Sequence, residues 1–165
     1  MRVGIDGVAL QSPSYQAGLY QYTHRLIHGV SEVGSEHDYS LLFFNWRSRT
    51  MEETIDRYPV GSNVSKRCCR IPFQVLGGLA ALSLPVGRFL GRFDVFHGPT
   101  FRLPPGRCAK RSVVTVHDLK FLNPDVYSPG DHAGANQFRR HTVDAIERAD
   151  VVVAVSRFTQ ADLAD

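Results

Sequence analysis

Two histidines stand at the ends of apolar runs that have the composition of buried strands. His117 and Asp118 come directly after SVVTV, residues 112–116, and His97 comes near the end of DVFHG, residues 94–98. An imidazole can donate or accept a hydrogen bond and exchanges a proton near neutral pH. A His-Asp pair after a strand therefore has three interpretations, which are a catalytic group, a metal ligand and the polar start of a loop.

The metal and hydrolase interpretations of this pair are disfavoured by the surrounding sequence. A phosphohydrolase of HD type gathers further His and Asp ligands from a helical framework, whereas His117 and Asp118 follow a strand. A Ser-His-Asp hydrolase needs a nucleophile on a strained turn, and the sequence contains no G-x-S-x-G. The three cysteines, of which Cys68 and Cys69 are adjacent, match neither a disulfide framework nor a C-x-x-C metal site. We expect no metal site.

The elements that position these histidines follow an alternating pattern of short apolar runs and longer amphipathic stretches. That alternation is typical of an α/β fold with a mostly parallel sheet. Strands are predicted over residues 2–6, 39–45, 65–71, 94–98, 112–117 and 151–155. The order predicts a doubly wound, Rossmann-like domain of five or six parallel strands with helices on both faces.

The predicted helices connect these strands. Apolar residues recur at helical spacing from Leu19 to Val33, and Gly34 is placed as a stop. Further helices are predicted over residues 74–91, with a break at Pro85, and around residues 138–149. Residues 99–110 contain three prolines and are predicted to be irregular. Ser156 is a predicted N-cap for residues 157–165.

Ligands of doubly wound sheets bind outside the carboxyl ends of the strands, so the polar residues there are site candidates. His97, Gly98 and Thr100 follow the fourth strand, and Ser156 follows the sixth. Gly18 begins the first long helix, where free amides and the helix dipole favour an anion. A flexible turn is the alternative for Gly18. No G-x-G-x-x-G is present, which argues against a nicotinamide site.

Composition restricts the classes of partner. The chain has 165 residues and a formal net charge of +3, which suits one globular domain and no bulk nucleic-acid binding. Asp6 interrupts any signal peptide, and the most apolar segment, residues 75–87, is too short to span a bilayer. We therefore expect a cytoplasmic protein. Basic residues flank the apolar segment and suggest either a solvated face or contact with an anionic bilayer: Lys66, Arg67, Arg70, Arg88 and Arg92.

Five segments together resemble the amino-terminal domain of family 4 glycosyltransferases, enzymes of the two-domain GT-B fold. They are RVGIDGVAL, AGLYQYTHRLI, DVFHGPTFRLPP, VVTVHDLKFLNPD and ERADVVVAVSRFTQADL. They occur in the family's order and spacing from the first strand almost to Asp165, and the resemblance weakens between about Trp46 and Gly91. Residues 1–165 are thus expected to form one half of a GT-B fold, the acceptor-side domain.

The resemblance implies transfer of a sugar from a nucleotide-sugar donor to a glycan, lipid or small-molecule acceptor. The anomeric configuration is expected to be retained, without a metal or another cofactor. In such enzymes a second domain makes most donor contacts. That domain is expected to be absent from residues 1–165, so this chain alone is expected to be inactive.

The resemblance also assigns roles to the site candidates. His117 occupies the place of a histidine that reaches the donor sugar, with a strand cap as the alternative. Asp118 is assigned a supporting catalytic role, or it begins an Asx turn. Gly18 is expected to let the backbone approach the donor, although Tyr20 and Gln21 stand where the family commonly has a glycine and an arginine.

The remaining candidates are assigned to substrate binding. His97, Gly98 and Thr100 belong to a loop that faces the interdomain cleft beside the acceptor, and Thr100 can hydrogen-bond a hydroxyl there. Ser156 is a substrate contact or only a helix cap. Two other functions use the same architecture. A nucleotide-sugar epimerase of GT-B type would need no acceptor, and a stand-alone glycan-binding module would need no catalysis.

Overall fold

The six strands predicted from apolar runs form a single parallel sheet. The computed structural model describes residues 1–11, 17–44, 53, 55–84, 86–120 and 133–164. Within them lie β1 (Arg2–Asp6), β2 (Asp38–Phe44), β3 (Val64–Cys69), β4 (Phe93–Gly98), β5 (Ala109–Val116) and β6 (Val151–Ala154). Their order is β3-β2-β1-β4-β5-β6, and every pairing is parallel. The predicted doubly wound α/β fold is confirmed.

The chain winds in opposite directions on the two sides of β1. β2 and β3 extend the sheet on one side, and β4, β5 and β6 extend it on the other. The switch point therefore lies between β1 and β4, where the loops at the carboxyl ends diverge and leave a crevice. This edge of the sheet also carries the loop that follows Gly98.

Most predicted strand bounds are wrong by one or two residues, and the largest error is at the start of β5. Residues 99–110 were expected to be irregular, yet Ala109 and Lys110 already belong to β5, and Ala109 lies opposite Phe93 of β4. The last proline of the loop is Pro105, so Ala109 and Lys110 are free to donate to a sheet. At the other end β5 stops at Val116, so His117 lies just beyond the strand.

Five helices are described with their bounds, and α1 and α4 are the longest. They are α1 (Ala17–Val33), α2 (Phe73–Ala81), α3 (Gly87–Leu90), α4 (Ala133–Arg148) and α5 (Arg157–Asp162). A 3-10 helix spans Val8–Gln11. The helix predicted over residues 74–91 is thus two helices, as the predicted break indicates. Pro85, at that break, lies outside the described residues, and so do Asn45 and Asp165.

The end of α2 has a defined geometry. The N–H of Ser83 donates to the carbonyl of Ala80, and the N–H of Leu84 donates to that of Leu79, each at 2.9 Å. Ser83 has φ of 57°, in the left-handed region. This is a Schellman motif, which satisfies carbonyls that would otherwise lack partners at the helix end. The turn directs the chain from α2 toward α3.

Apolar side chains pack on both faces of the sheet. Ile27 of α1 packs over one face with Ile5, Leu41 and Phe43. The other face is covered by α2, α3 and α4, through the buried residues Leu76, Leu90 and Ala145, respectively. Burying each large aliphatic or aromatic side chain contributes about 1.5–3 kcal/mol. Both faces of the sheet centre are therefore covered, as the β-branched strands require.

β6 is less well covered than the central strands. Its outer edge has no neighbouring strand among the described residues, and Val151, Val152 and Val153 are 52%, 37% and 37% exposed. No helix in the described part of the chain is long and apolar enough to cross a membrane.

Candidate functional site

A short loop crosses the carboxyl ends of the central strands. We call residues 99–103 the cleft loop. The N–H of Phe101 donates to the carbonyl of Thr115 at 3.1 Å, which ties the loop to β5. A Cβ at Gly98 would collide with the carbonyl oxygen of Arg102, so only glycine permits the close turn. Phe101 has φ of 62°, a conformation that costs a side-chain-bearing residue about 1–2 kcal/mol. The loop is thus held in one shape by several contacts.

A buried ion pair joins the cleft loop to β1. Nε of Arg102 lies 2.8 Å from Oδ2 of Asp6, and a second guanidinium nitrogen lies 3.4 Å from Oδ1. Asp6 is only 1% exposed, and its Oδ1 also accepts from the N–H of Val8 at 2.9 Å. Charge-assisted, two-point pairing of this kind fixes orientation as well as distance. The pair spans the switch point and sets where the cleft loop lies.

His117 is anchored to the cleft loop through one ring nitrogen. Its Nε2 donates to the carbonyl oxygen of Pro99 at 2.8 Å, and because a carbonyl only accepts, Nε2 carries the proton. The ring lies between Tyr22, edge-on at a centroid distance of 4.8 Å, and Phe101, at 5.2 Å. Among the described residues no polar group bonds Nδ1. The imidazole is therefore fixed in orientation with Nδ1 left for another partner.

His97 is half-buried and bonds the neighbouring strand β5. Its Nε2 lies 2.8 Å from Oγ1 of Thr115, which in turn lies 3.3 Å from the hydroxyl of Tyr22. Burial lowers the pKa of His97 from 6.5 to about 4, so the ring is neutral at neutral pH. Because Tyr22 also contacts the ring of His117, the two histidines are linked through α1 and β5 without touching each other.

The same edge includes the backbone of His117 and the start of α5. The carbonyl of His117 accepts from Oγ1 of Thr159 at 3.1 Å. Oγ of Ser156 accepts from the N–H of Thr159 at 3.0 Å, which confirms Ser156 as the N-cap of α5. Hydrogen bonds therefore connect Ser156 and α5 to the end of β5 at His117.

This combination of a parallel sheet, a histidine at a strand end and a rigid cleft loop agrees with the comparison with protein families. Residues 17–165 match the family model described as Glycosyltransferase Family 4. The chain belongs to glycosyltransferase family 4. The match covers α1 through α5 and leaves out β1. A search of curated proteins found no significant match, and a search of solved structures found none either.

Asp118 of this family 4 domain is engaged in a local turn. Its Oδ1 accepts from the N–H of Lys120 at 3.3 Å, and its Oδ2 lies 3.7 Å from Nζ of Lys120. These contacts are those of the Asx turn, which was the structural alternative for this residue. The carboxylate has no described bond to the His117 ring, and a catalytic role for Asp118 stays a prediction.

Gly18 lies in the first turn of α1, near His117. Tyr22 follows one helical turn later, and Leu19 packs beside Phe101, Val116 and Leu119. A Cβ at Gly18 would meet no atom within 4 Å, so internal packing does not require glycine here. The open surface is compatible with a ligand that approaches the backbone, and residues 12–16 lie outside the described residues.

The remaining candidates differ in accessibility. Thr100 is 7% exposed, and its Oγ1 is buried without a described hydrogen-bond partner. Gly98 is buried and serves the turn, whereas Ser156 is exposed at the cap. The structure therefore brings His117, Gly98, Thr100 and the start of α1 to one edge, with His97 beneath them. Their roles in substrate binding stay predictions.

Sequence reasoning missed two residues that shape this edge. Arg102 was treated as part of a Pro-rich loop, although it neutralises Asp6 across 96 positions of sequence. Tyr22 was counted only as one of the apolar residues at helical spacing, although its hydroxyl and ring contact both histidine networks. Its position one turn after Gly18 was the signal that could have found it. Among the described residues, no group of three or more metal-ligating side chains could hold a metal ion.

Proposed function

We propose that this chain is the acceptor-side domain of a retaining glycosyltransferase that uses a nucleotide-sugar donor. The acceptor would be a glycan, a lipid or a small molecule, and the reaction would proceed in the cytoplasm without a metal ion. Membership of glycosyltransferase family 4 supports glycosyl transfer in general. In this proposal most donor contacts would come from a second domain, which would close over the carboxyl edge of the sheet.

The orientation of His117 is the observation that carries the proposal. Nε2 is occupied by the Pro99 carbonyl, so in the neutral ring Nδ1 presents a lone pair at the edge of the crevice. A sugar hydroxyl can donate to that lone pair. A fixed acceptor of this kind favours one sugar orientation, because neither ring rotation nor tautomer exchange is possible without losing the 2.8 Å bond. His117 would thus hold the donor sugar at the reacting carbon.

The surrounding residues would contribute by position. Tyr22 and Phe101 hold the imidazole from two sides, and the Asp6–Arg102 pair fixes the cleft loop that supplies the Pro99 carbonyl. Because Arg102 is paired with a buried carboxylate, it is poorly suited to bind the departing diphosphate. The negative charge of the diphosphate would instead be stabilised by cations of the second domain and by the free amides at the start of α1.

The test uses the protein that contains this domain together with its donor half. UDP-glucose, UDP-N-acetylglucosamine and GDP-mannose serve as probe donors, with release of nucleoside diphosphate and the anomeric configuration of the product measured by NMR. We expect His117→Ala to lower turnover about 10²-fold or more. His37→Gln is the matched control, because His37 lies in the turn before β2, at the opposite edge of the sheet.

Three outcomes would contradict the proposal. Near-normal turnover in His117→Ala would return this residue to a strand cap. Free nucleotide together with an epimerised sugar, formed without acceptor, would identify an epimerase. Glycan binding without any nucleotide-sugar turnover in the complete protein would identify a binding module.

A further inference from the structure

The α2 helix has an unusual outer surface for a helix that covers a sheet. Its sequence, FQVLGGLAA, contains no charged residue. Leu76 faces inward and is fully buried, whereas Val75 is 50% exposed on the outer side. A helix on the surface of a soluble domain normally carries charged residues on its outer face. α2 instead presents apolar groups in both directions.

The Schellman turn after α2 adds two leucines to this outer surface. Leu82 and Leu84 flank Ser83 and are 73% and 46% exposed. Phe89 of α3 is 47% exposed, although the next residue, Leu90, is buried in the core. We call the exposed side chains of Val75, Leu82, Leu84 and Phe89 the α2–α3 surface. Four large apolar side chains are thus exposed within 15 consecutive residues, a concentration that is typical of an interaction site.

Arginines lie at α3, and acidic residues are absent from the sequence of the α2–α3 surface. Arg88 is exposed beside Phe89 in α3. A Cβ at Gly87 would lie 3.9 Å from Cγ of Arg92, and a Cβ at Gly91 would meet the guanidinium of Arg67, so both side chains lie against α3. No Asp or Glu occurs between Arg57 and Phe93. The charged residues that this segment itself contributes are therefore all basic.

The structure separates Lys66 from this set. Its Nζ donates to the carbonyl of Tyr58 at 3.0 Å and also to that of Asp56, so the ammonium is held away from α3. The basic residues grouped by sequence around the apolar segment thus divide between two sides of β3. Arg67, Arg88 and Arg92 remain at α3.

We propose that the α2–α3 surface docks on an anionic lipid bilayer, with the leucines and Phe89 among the acyl chains and the arginines at the phosphate groups. Exposed apolar side chains beside cationic ones are the combination that interfacial binding needs. A second copy of this chain is a poorer occupant, because a two-fold contact would place the same arginines against each other. Arginine stems can lie along apolar groups while the guanidinium stays at the headgroups.

The position of this surface leaves the candidate site accessible. α3 leads directly into the start of β4, so Leu82, Leu84 and Phe89 lie toward the amino ends of the strands. His117 and the cleft loop lie at the carboxyl ends. A domain docked in this way would direct its crevice away from the bilayer. The inference does not depend on the proposed sugar transfer, because vesicle binding requires no donor, acceptor or second domain.

The experiment measures cosedimentation of the 165-residue chain with vesicles of phosphatidylcholine alone or with 30% phosphatidylglycerol. We expect binding to the anionic vesicles, weak binding to the neutral ones and release at 0.5 M NaCl. The double variant Leu82→Gln/Phe89→Gln should lower the partition coefficient about tenfold or more. Arg88→Gln/Arg92→Gln should lower it by a similar factor on anionic vesicles only.

Matched controls change the same chemistry elsewhere. Phe158→Gln alters an aromatic side chain that is 75% exposed in α5, and Arg139→Gln/Arg140→Gln removes two exposed charges from α4. These variants should bind like the parent chain, and circular dichroism should show that all variants are folded. Hydrogen exchange should show protection of amides 79–90 on anionic vesicles. Absence of binding, equal binding to neutral vesicles, equal losses in the controls, or a dimer that the leucine variant abolishes would each overturn the proposal.

Discussion

His97 and His117 end neighbouring strands in similar sequence contexts, yet they occupy different environments. His97 is still within β4, lies opposite Val113 of β5, and bonds a buried threonine. His117 lies one residue beyond β5 and bonds a backbone carbonyl of the cleft loop. A displacement of one or two residues relative to the strand end thus separates a neutral histidine that bonds the neighbouring strand from one that bonds the cleft loop.

The difference shows that the ladder, and not the residue type, decides which partner a strand-end histidine bonds. Inside the strand a side chain must point to one face and be covered by a helix, here by α1. Beyond the strand the backbone is free to present the ring at the sheet edge. Variants of Gly98, His97, Ser156 and Tyr22 should therefore change the stability of the domain in ways that can be measured separately.

Gly98→Ala should have the largest effect, because it affects both strand ends. The new Cβ would collide with the Arg102 carbonyl, so the cleft loop must move and the Pro99 bond to His117 is lost. We expect about 3 kcal/mol of destabilisation, or a melting temperature lower by about 6–12 °C. Urea and thermal unfolding followed by circular dichroism measure it. Gly29→Ala, with no atom within 4 Å of the new methyl group, should instead raise the stability by up to about 1 kcal/mol. Equal stability of both variants would show that the loop is not rigid.

The pH dependence of stability should separate the buried histidine from its neighbour. The pKa of His97 is about 4 when folded and about 6.5 when unfolded, so the unfolded chain takes up a proton first as the pH falls. The contribution of the neutral ring is complete above pH 6.5 and is lost between pH 6.5 and 4, by at most about 3 kcal/mol. When the free energy of unfolding is measured in urea across this pH range, His97→Gln should remove most of its dependence on pH.

Other titrating groups also contribute to the pH dependence of stability. Burial also lowers the pKa of His24, so a smaller slope of the same sign should remain in His97→Gln. The pKa values of Asp94 and Asp150 are lowered to about 2, mainly by hydrogen bonds from Lys110 and Arg111, so their contributions are lost only below about pH 4. An unchanged slope in His97→Gln would mean that the ring is not buried in solution.

Ser156→Ala extends the comparison to a third strand end. The variant removes the acceptor for the Thr159 N–H, and we expect a loss of about 1 kcal/mol in the free energy of unfolding. Ser156→Asp, which can still cap the helix, should retain most of the stability. If alanine were tolerated without loss while glycosyl transfer by the complete protein decreased, Ser156 would be a substrate contact and its cap would be incidental.

Tyr22→Phe should have the smallest effect and the most selective one. It removes a 3.3 Å contact to Thr115 but keeps the ring that packs on His117, so we expect a loss of about 0.5–1 kcal/mol. In ring-nitrogen NMR spectra the His97 signals should shift more than those of His117. Tyr20→Phe, whose ring stacks on His24, serves as the control and should shift neither the His97 nor the His117 signals. Larger shifts at His117 would show that the hydroxyl, and not the ring, positions that residue.

Local patterns predicted much of this architecture. The β-branched run before His117 predicted a buried parallel strand, the valines of β6 predicted a last strand, and Ser156 was identified as a cap from its position before a helical segment. Each of these features depends on residues within a few positions of one another. The family resemblance then pointed to the carboxyl edge, and the match over residues 17–165 bears out its family assignment.

Long-range contacts at the site could not be predicted in the same way. Nothing near Arg102 indicates that its partner is Asp6, because the pairing depends on the position of β1 beside β4. The orientation of His97 depends on where the β4 ladder ends, and a run of apolar residues does not define that end to the residue. For Asp118 the sequence left two interpretations open, and only coordinates show the bond to the Lys120 N–H.

The central place of β1 has a consequence for anyone who expresses this domain. The family match begins at Ala17, so a fragment cut at that boundary would omit β1. β2 and β4 would then have no strand between them, and Arg102 would lose its carboxylate. The first six residues, which a search by family would discard, join the two halves of the sheet. A fragment that keeps the complete sheet must therefore begin at or before Arg2.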